Sequence, residues 1–255
     1  MTDLPIIFSA PMIRALLEGR KTQTRRVLKL PTKGIYERKD MGGWTPTING
    51  GGGSFTIARD GSRVPARETI GIWHQTTGRC LDAPWQTGDR LWVRETHQFG
   101  SSCDGPQMTF RATPDYFSID AWDGPDEGAG PSFNYDKCRG ADFSHWLSDV
   151  LSSDGPWRSP LHMPRWASRL TLIVLDVRVQ RLHEITHADA DAEAPPLLQY
   201  IPFMQGKTTS DYVASFAALW NSIHGCDAWA TNPFVAALTF RVIRANIDAP
   251  EAANL

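Results

Sequence analysis

The stretch EGRKTQTRRV, residues 18–27, carries four cations within seven residues, with threonines between them. The cations are Arg20, Lys21, Arg25 and Arg26. Gly19 precedes them and suits the left-handed residue that ends many helices. The residues that follow, TQTRRVLKL, alternate between polar and apolar as a β-strand does. The pattern therefore predicts a helix that stops at Gly19 and a cationic segment that runs into a strand.

The rest of the chain predicts a mixture of strands and helices. Residues 5–9 (PIIFS) predict a buried strand, and residues 9–20 predict a helix with Ser9 as its N-cap. Further predicted elements are strands within 87–96, 108–113 and 159–182, a short helix from Thr186 to Pro195 with a capping box to Asp189, a helix over 210–225 and a strand over 232–243. Because strands and helices do not alternate regularly, this order predicts an α+β fold.

The long strand within residues 159–182 is apolar on both faces, which indicates burial on both sides or a curled barrel wall. We therefore predict a small mixed β-barrel flanked by helices. Residues 31–86 and 97–158 look like two loop-rich insertions, the first too glycine-rich for a helix or a central strand but compatible with a hairpin, and FSHWLSDVL in the second predicts a short helix. We predict one domain over residues 1–247 and a flexible tail over 248–255.

Bulk composition limits the functional classes. The net charge of −2 over 255 residues excludes a bulk polyanion binder, so any affinity for nucleic acid must come from a local patch. The four cysteines are widely spaced and form no C-x-x-C pair, which favours free thiols in a reducing cytoplasm and no metal site or cofactor. No signal peptide is visible, and no apolar stretch approaches the ~20 residues of a membrane helix. We expect a soluble, cytoplasmic protein with no membrane partner.

Four pieces of the chain carry a resemblance to a known family. EGRKTQTRR after a helix, GDRLWVRE in a strand, ITHADADAE in a short helix and FVAALTF in the closing strand occur in the order found in the ASCH domain, which this chain resembles. That domain belongs to the PUA-like superfamily. The longer form, with HMPRWASRLTL, is similar to ASCH proteins of bacteriophages and prophages. The matched pieces cover about half of the chain and leave both insertions outside, so the resemblance implies a PUA-like core.

The resemblance also implies a chemistry. Small bacterial ASCH enzymes are amidohydrolases that remove the acetyl group from N4-acetylcytidine, with a lysine and a threonine of the K-T-x-T segment and a glutamate late in the short helix as proposed catalytic residues. Those positions are occupied here by Lys21, Thr24 and Glu193. In this scheme Thr24 is the nucleophile, Lys21 the base and Glu193 the residue that orients the lysine or relays a proton. The scheme needs no metal.

The residues set two conditions on this chemistry. A lysine acts as a base at neutral pH only if burial or neighbouring cations lower its pKa towards ~7–8. Lys21 has such neighbours in the arginines of the same segment. In a regular strand, side chains three positions apart face opposite sides. Lys21 and Thr24 can therefore converge only if Lys21 lies in the turn after Gly19, before the strand begins.

Other charged and aromatic residues are candidates for binding the substrate or a nucleic acid. They are Arg20, Arg25, Arg26, Arg94, Glu95, His162, Arg165 and Trp166. Arg165 and Trp166 offer a phosphate clamp and a stacking surface, although a tryptophan packed into the core is the alternative. Glu95 is either a site carboxylate or half of a structural ion pair.

Three functions remain open from the sequence. The leading hypothesis is an enzyme that hydrolyses an amide-linked acyl group on a modified nucleobase or nucleoside. The second is a binding module for RNA or modified DNA, in which Lys21, Arg25, Arg26 and Arg165 contact phosphates, and the third is a ribonuclease that uses the same cations. A hydrolase needs an enclosed site, whereas a nucleic-acid binder needs an open basic groove and weakens steeply as salt rises.

Overall fold

The computed structural model describes residues 2–31, 43–50, 53–66, 68–102, 105–113, 116–118, 122–123, 132–133, 155–196 and 212–253. The short helix predicted within residues 143–151 lies outside these ranges, as do parts of both predicted insertions. None of the described helices is long and apolar enough to cross a membrane.

The described strands and helices are numbered in chain order. The strands are β1 (Asp3–Ile7), β2 (Gln23–Val27), β3 (Trp44–Asn49), β4 (Phe55–Ile57), β5 (Arg63–Pro65), β6 (Thr69–His74), β7 (Cys80–Asp82), β8 (Arg90–Arg94), β9 (His97–Ser102), β10 (Gly105–Phe110), β11 (Tyr116–Ser118), β12 (Trp122–Asp123), β13 (Ser132–Phe133), β14 (Thr171–Arg181) and β15 (Phe234–Ile243). The α-helices are α1 (Ala10–Leu17), α2 (His187–Ala192), α3 (Tyr212–His224) and α4 (Pro250–Ala253). Short 3-10 helices cover Pro160–His162, Arg165–Ala167 and Leu182–Glu184.

The chain is an α+β protein, as its sequence predicts, but its described strands form open sheets and not the predicted barrel. The largest sheet has the strand order β1-β8-β14-β15-β2. β1 pairs with β8 in parallel, whereas β14 with β8 and β15 with β2 pair antiparallel. A barrel would require the two outer strands, β1 and β2, to pair with each other. The smaller sheets have the orders β3-β6-β7, β4-β5, β11-β10-β9 and β12-β13.

The long strand β14 explains why the barrel prediction was wrong. Its first four residues, 171–174, are all buried, and Leu172 and Val174 on one face are as enclosed as Ile173 on the other. The apolar pattern on both faces was compatible with two-sided burial or with a curved wall. In the structure, burial on both faces is confined to these first four residues, since Leu175 is 51% exposed, and the sheet is open.

The chain divides into two compact units. The first comprises Met1–Gly19, Arg90–Ile173 and Val242–Leu255, and the second comprises Arg20–Asp89 and Val174–Arg241. Helix α4 of the first unit lies within residues 248–255, for which the sequence predicted a flexible tail, and its Ala252 is buried.

In the second unit, the first predicted insertion contains regular structure. β3, β6 and β7 form an antiparallel sheet in which β3 is an outer strand, and β4 and β5 form a separate hairpin. A second feature of this unit is an apolar cluster that joins helices α2 and α3 to β15. Its buried members are Leu182, Ile185, Ala190, Phe216, Trp220 and Val235. This cluster packs α2 against β15, the strand that pairs with β2.

Candidate active site

The backbone holds Lys21 at the start of the cationic segment, before the strand begins. Gly19 adopts the predicted left-handed conformation, with a φ of 74°, and β2 starts only at Gln23. The amide of Thr22 donates to the carbonyl of Ala192 at 2.9 Å, and the Thr22 carbonyl accepts from the Phe240 amide at 3.0 Å. The first bond satisfies one of the carbonyls that a helix leaves free at its C-terminal end. Lys21 is thus held between the end of α2 and strand β15.

Helix α2 places Glu193 at its C-terminal end. The predicted capping box is confirmed, because the Thr186 hydroxyl accepts from the Asp189 amide at 3.1 Å and the Asp189 carboxylate accepts from the Thr186 amide. Glu193 caps the other end, and Ala194 then turns the chain with a φ of 48°. A helix-end glutamate is ordinarily a surface residue. Here Glu193 is only 3% exposed.

Lys21 and Glu193 meet in the interior of the second unit. The Lys21 ammonium nitrogen Nζ donates to Glu193 Oε2 at 2.7 Å and to the Glu193 carbonyl at 2.9 Å. The Lys21 side chain is 0% exposed. Burial lowers the pKa of Lys21 from its ordinary 10.5, Glu193 opposes this shift, and the charges of Arg26 and Arg25 add to it. Lys21 therefore lies before the strand begins, and its pKa is lowered.

Arg25 contacts the other oxygen of the same carboxylate. Its Nη1 donates to Glu193 Oε1 at 3.2 Å and to Gln23 Oε1 at 2.6 Å. Its Nη2 lies 3.1 Å from Asp189 Oδ2, in an ion pair whose angle is not that of a hydrogen bond. The Nε of Arg25 is buried without an acceptor among the described residues. Arg25 therefore keeps unused donor capacity inside the protein.

Asp189 links the cluster to strand β14. Its Oδ1 accepts from Gln23 Nε2 at 3.1 Å and from Arg178 Nη2 at 2.7 Å. Burial alone would raise the pKa of Asp189, but the hydrogen bonds from Arg178 and Gln23 and the charge of Arg25 outweigh it and lower the pKa to about 2. Asp189 is thus a cap, as predicted, and also an anionic centre of the site.

Sequence reasoning missed Gln23 and Arg178. Gln23 lies between Lys21 and Arg25 at a spacing of two, which is the spacing of side chains on one face of an extended segment. Strand β14 carries several other polar and charged residues, so Arg178 gave no signal of its own in the sequence. We name the six connected residues the Lys21 cluster: Lys21, Gln23, Arg25, Arg178, Asp189 and Glu193.

Thr24 is buried, with 4% exposure, and lies opposite Leu238 of β15 in the register. Because Gln23 and Arg25 both reach Asp189, strand alternation is expected to turn Thr24 to the opposite face of β2. Of the remaining cations in this segment, Arg20 is exposed, and Arg26 is close enough for its charge to act on Lys21.

The other predicted site residues belong to the first unit, where Glu95 forms a structural ion pair. Its two carboxylate oxygens accept from Nε and Nη2 of Arg169 at 2.8 and 2.9 Å, and Glu95 is 1% exposed. The neighbouring Arg94 stacks over the Trp92 ring at 4.3 Å and donates to the Leu161 carbonyl at 3.4 Å. Of the two roles left open for Glu95, the geometry favours the ion pair.

Arg165 is engaged by carboxylates in place of the predicted phosphate. Its Nη2 lies 2.5 Å from Asp3 Oδ2 and 2.6 Å from Asp248 Oδ1. These hydrogen bonds, above all that to Asp248, raise the pKa of Arg165. Trp166 is half-buried beside it, and His162 is exposed. The two aspartates lie far from Arg165 in the sequence, so no local pattern revealed them.

The described residues form no metal centre, and the comparisons with known proteins found no relative. Among the residues that the structure describes, no group of three or more His, Cys, Asp or Glu side chains is arranged to hold a metal ion. Comparison with models of protein families, with curated proteins and with solved structures found no match to this chain.

Proposed function

We propose that this chain is an amidohydrolase of the ASCH, PUA-like kind, which removes an acyl group from the exocyclic nitrogen of a modified nucleobase or nucleoside. The observation that carries the proposal is the buried contact of 2.7 Å between Lys21 Nζ and Glu193 Oε2. Had Glu193 been exposed to solvent and distant from Lys21, no base could be assigned to the K-T-x-T segment.

Burial favours a Lys21 that gives up its proton. It is the main cause of the lowered pKa of Lys21, and the charges of Arg26 and Arg25 add to it, while Glu193 opposes it. A neutral amine is the form that a general base requires. Glu193 orients this amine through its oxygen Oε2.

Arg25 supports the step in which negative charge develops. Attack on an amide carbonyl places charge on its oxygen, and a positioned donor in a site without water stabilises that charge. The buried Nε of Arg25 has no acceptor among the described residues. We assign it as the donor for this oxyanion.

The reaction begins when Lys21 takes a proton from the nucleophile, whose oxygen bonds to the carbonyl carbon. The C–N bond then breaks, and Lys21 returns the proton to the leaving amine. With Thr24 as nucleophile an acyl ester forms, and a water deprotonated by Lys21 hydrolyses it to the carboxylic acid and the free threonine. With water as nucleophile the acid forms directly. The expected orientation of Thr24, away from Gln23 and Arg25, makes the water route a defined alternative.

The burial of the Lys21 cluster favours a hydrolase over a module that binds nucleic acid. The side chains of Lys21 and Arg25 are both 0% exposed, so they do not form an open basic groove for phosphates. A substrate that reaches Lys21 must displace at least one surrounding side chain.

The test is incubation of the protein with N4-acetylcytidine and a panel of acylated nucleosides, followed by chromatography of the products. We expect deacylation by the wild type and by Lys29→Met, which alters an exposed lysine just after the cationic segment, and at least a 100-fold lower rate for Lys21→Met. Deacylation that survives Lys21→Met would refute the assigned base. The absence of turnover on every substrate would refute the proposed function.

The nucleophile is assigned by a second pair of variants. Thr24→Ser keeps a hydroxyl and Thr24→Val removes it at similar volume. Intact-protein mass spectrometry during turnover shows an acyl adduct on the wild type and on Thr24→Ser if threonine attacks. Full activity of Thr24→Val without an adduct assigns the attack to water.

A further inference from the structure

The hairpin formed by β4 and β5 is exposed along its whole length. Every residue from 53 to 65 is exposed except Ala58, which is half-buried. The exposed set includes large apolar side chains, with Phe55 at 49%, Ile57 at 62% and Val64 at 44%. An isolated two-stranded hairpin gains little stability in water, and exposed apolar side chains do not add to it. These side chains therefore suit a contact with something outside the hairpin.

The turn of the hairpin is well defined, so the strands present their side chains in a fixed register. The Ala58 amide donates to the Ser62 carbonyl at 2.9 Å, and Gly61 has a φ of 82°. The Asp60 carboxylate accepts from the amide and the hydroxyl of Ser62 at 2.9 and 2.7 Å. Asp60 is thereby committed to the turn, and Arg59 stands at the tip.

The register gives the hairpin two different faces. Phe55 lies opposite Pro65 and Ile57 lies opposite Arg63, so these four side chains share one face. Thr56 and Val64 lie on the other face. On the first face the Arg63 guanidinium stacks over the Phe55 ring at 4.3 Å. One face thus combines an aromatic ring, a planar cation and an aliphatic side chain.

We propose that this face of the hairpin binds single-stranded nucleic acid. Unpaired bases stack on aromatic rings and on guanidinium planes, and the paired Phe55 and Arg63 offer both. Phosphates require cations, and the hairpin carries two, Arg63 and Arg59, against one carboxylate, Asp60, which accepts from Ser62 within the turn. The net charge of the chain is −2, so attraction of a polyanion depends on a local site such as this one. The inference does not depend on the proposed hydrolase.

The test is fluorescence anisotropy with a labelled oligouridylate of about twelve nucleotides, a length typical for such sites. We expect Phe55→Ala to weaken binding by about five- to 140-fold, the effect of one lost base stack. We expect Arg59→Gln with Arg63→Gln to flatten the salt dependence, because two phosphate contacts contribute a slope of about −1.4 in log affinity against log salt. Thr56→Ala, on the other face, is the matched control and should bind as the wild type does.

Several results would overturn the proposal. No measurable binding of the oligouridylate at low salt is one, and equal binding by Phe55→Ala and the wild type is another. If Phe55→Ala changes the sedimentation of the protein alone, the hairpin contacts a second copy of the chain. If the wild type binds anionic lipid vesicles but not oligouridylate, and Phe55→Ala abolishes the vesicle binding, the hairpin contacts a membrane surface. Because the hairpin is exposed, none of these variants removes core packing, and circular dichroism melting verifies that they are folded.

Discussion

At the scale of single residues, the central question is what a buried lysine gains from its carboxylate. Removing an ammonium and a carboxylate from water is unfavourable by several kcal/mol each, and only close contact with further hydrogen bonds offsets it. Glu193 meets that condition because Lys21 and Arg25 occupy separate oxygens. Lys21 donates to Oε2 and to the backbone carbonyl of Glu193, whereas Glu193 accepts from both cations. The two partners are therefore not equivalent.

This inequality predicts different effects for the two single substitutions. Glu193→Gln removes the charge that holds both Lys21 and Arg25, and we expect unfolding free energy to fall by about 3–5 kcal/mol. Lys21→Met leaves Glu193 with Arg25, and we expect a smaller loss. Urea denaturation of both variants measures the difference.

The double variant completes the comparison. If the pair interacts directly, Lys21→Met combined with Glu193→Gln destabilises by clearly less than the sum of the single effects. Additive effects would contradict the contact. Lys29→Met is the control, since Lys29 is exposed and a surface substitution should change stability by less than about 0.5 kcal/mol.

Asp189 predicts a pH dependence of stability. Its folded-state pKa of about 2 lies below the ordinary 3.8, so the unfolded chain binds more protons between these values. The stabilisation by Asp189 is then complete above about pH 4 and is lost as pH falls through about 2. We expect the advantage of the wild type over Asp189→Asn to shrink by about 1–2 kcal/mol between pH 5 and pH 2, after allowance for partial exposure. Urea midpoints at several pH values test this, and a constant difference would contradict it.

At the scale of elements, the sequence predicted helix caps and helix ends well, but it did not predict contacts between distant elements. The capping box of α2, the glycine after α1 and the amphipathic helix α3 were readable because each depends on residues within a few positions. The contact of Lys21 with Glu193 came only from the resemblance. Gln23 and Arg178 were missed because their partner Asp189 lies on another element, where spacing in the sequence carries no information.

The end of helix α1 gives an element-scale prediction. A Cβ at Gly19 would meet no atom within 4 Å, so Gly19→Ala changes only the backbone energy of a residue with a φ of 74°. We expect a loss of about 1 kcal/mol in unfolding free energy, the cost of a non-glycine residue in this conformation. Gly43→Ala is the matched control, because that site is equally open and has no positive φ. Equal effects of the two substitutions on the urea midpoint would contradict the account.

At the scale of the whole molecule, the first unit is assembled from segments that are far apart in the chain. Arg90 donates to Asp3 through Nε and Nη2 at 2.8 and 2.7 Å, and also to the carbonyls of Ile247 and Ala252. Arg165 joins the same Asp3 to Asp248. Such contacts between distant segments cannot be read from composition or periodicity. For this reason the sequence indicated Arg165 as a phosphate ligand, while the fold uses it to connect the two ends of the first unit.

This role predicts how Arg165 variants behave. Arg165→Met should lower the unfolding free energy by about 1–2 kcal/mol, because two partly exposed ion pairs contribute roughly 0.5–1 kcal/mol each. Arg165→Lys keeps the charge without the planar fork and should lose about half as much. Raising salt to 1 M should reduce the difference in unfolding free energy between the wild type and Arg165→Met, since screening weakens exposed ion pairs.

Turnover of acylated nucleosides should be unchanged in both Arg165 variants once they are folded, because Arg165 is not a member of the Lys21 cluster. A variant that keeps its stability but loses turnover or oligonucleotide binding would return Arg165 to the role of a ligand-binding residue.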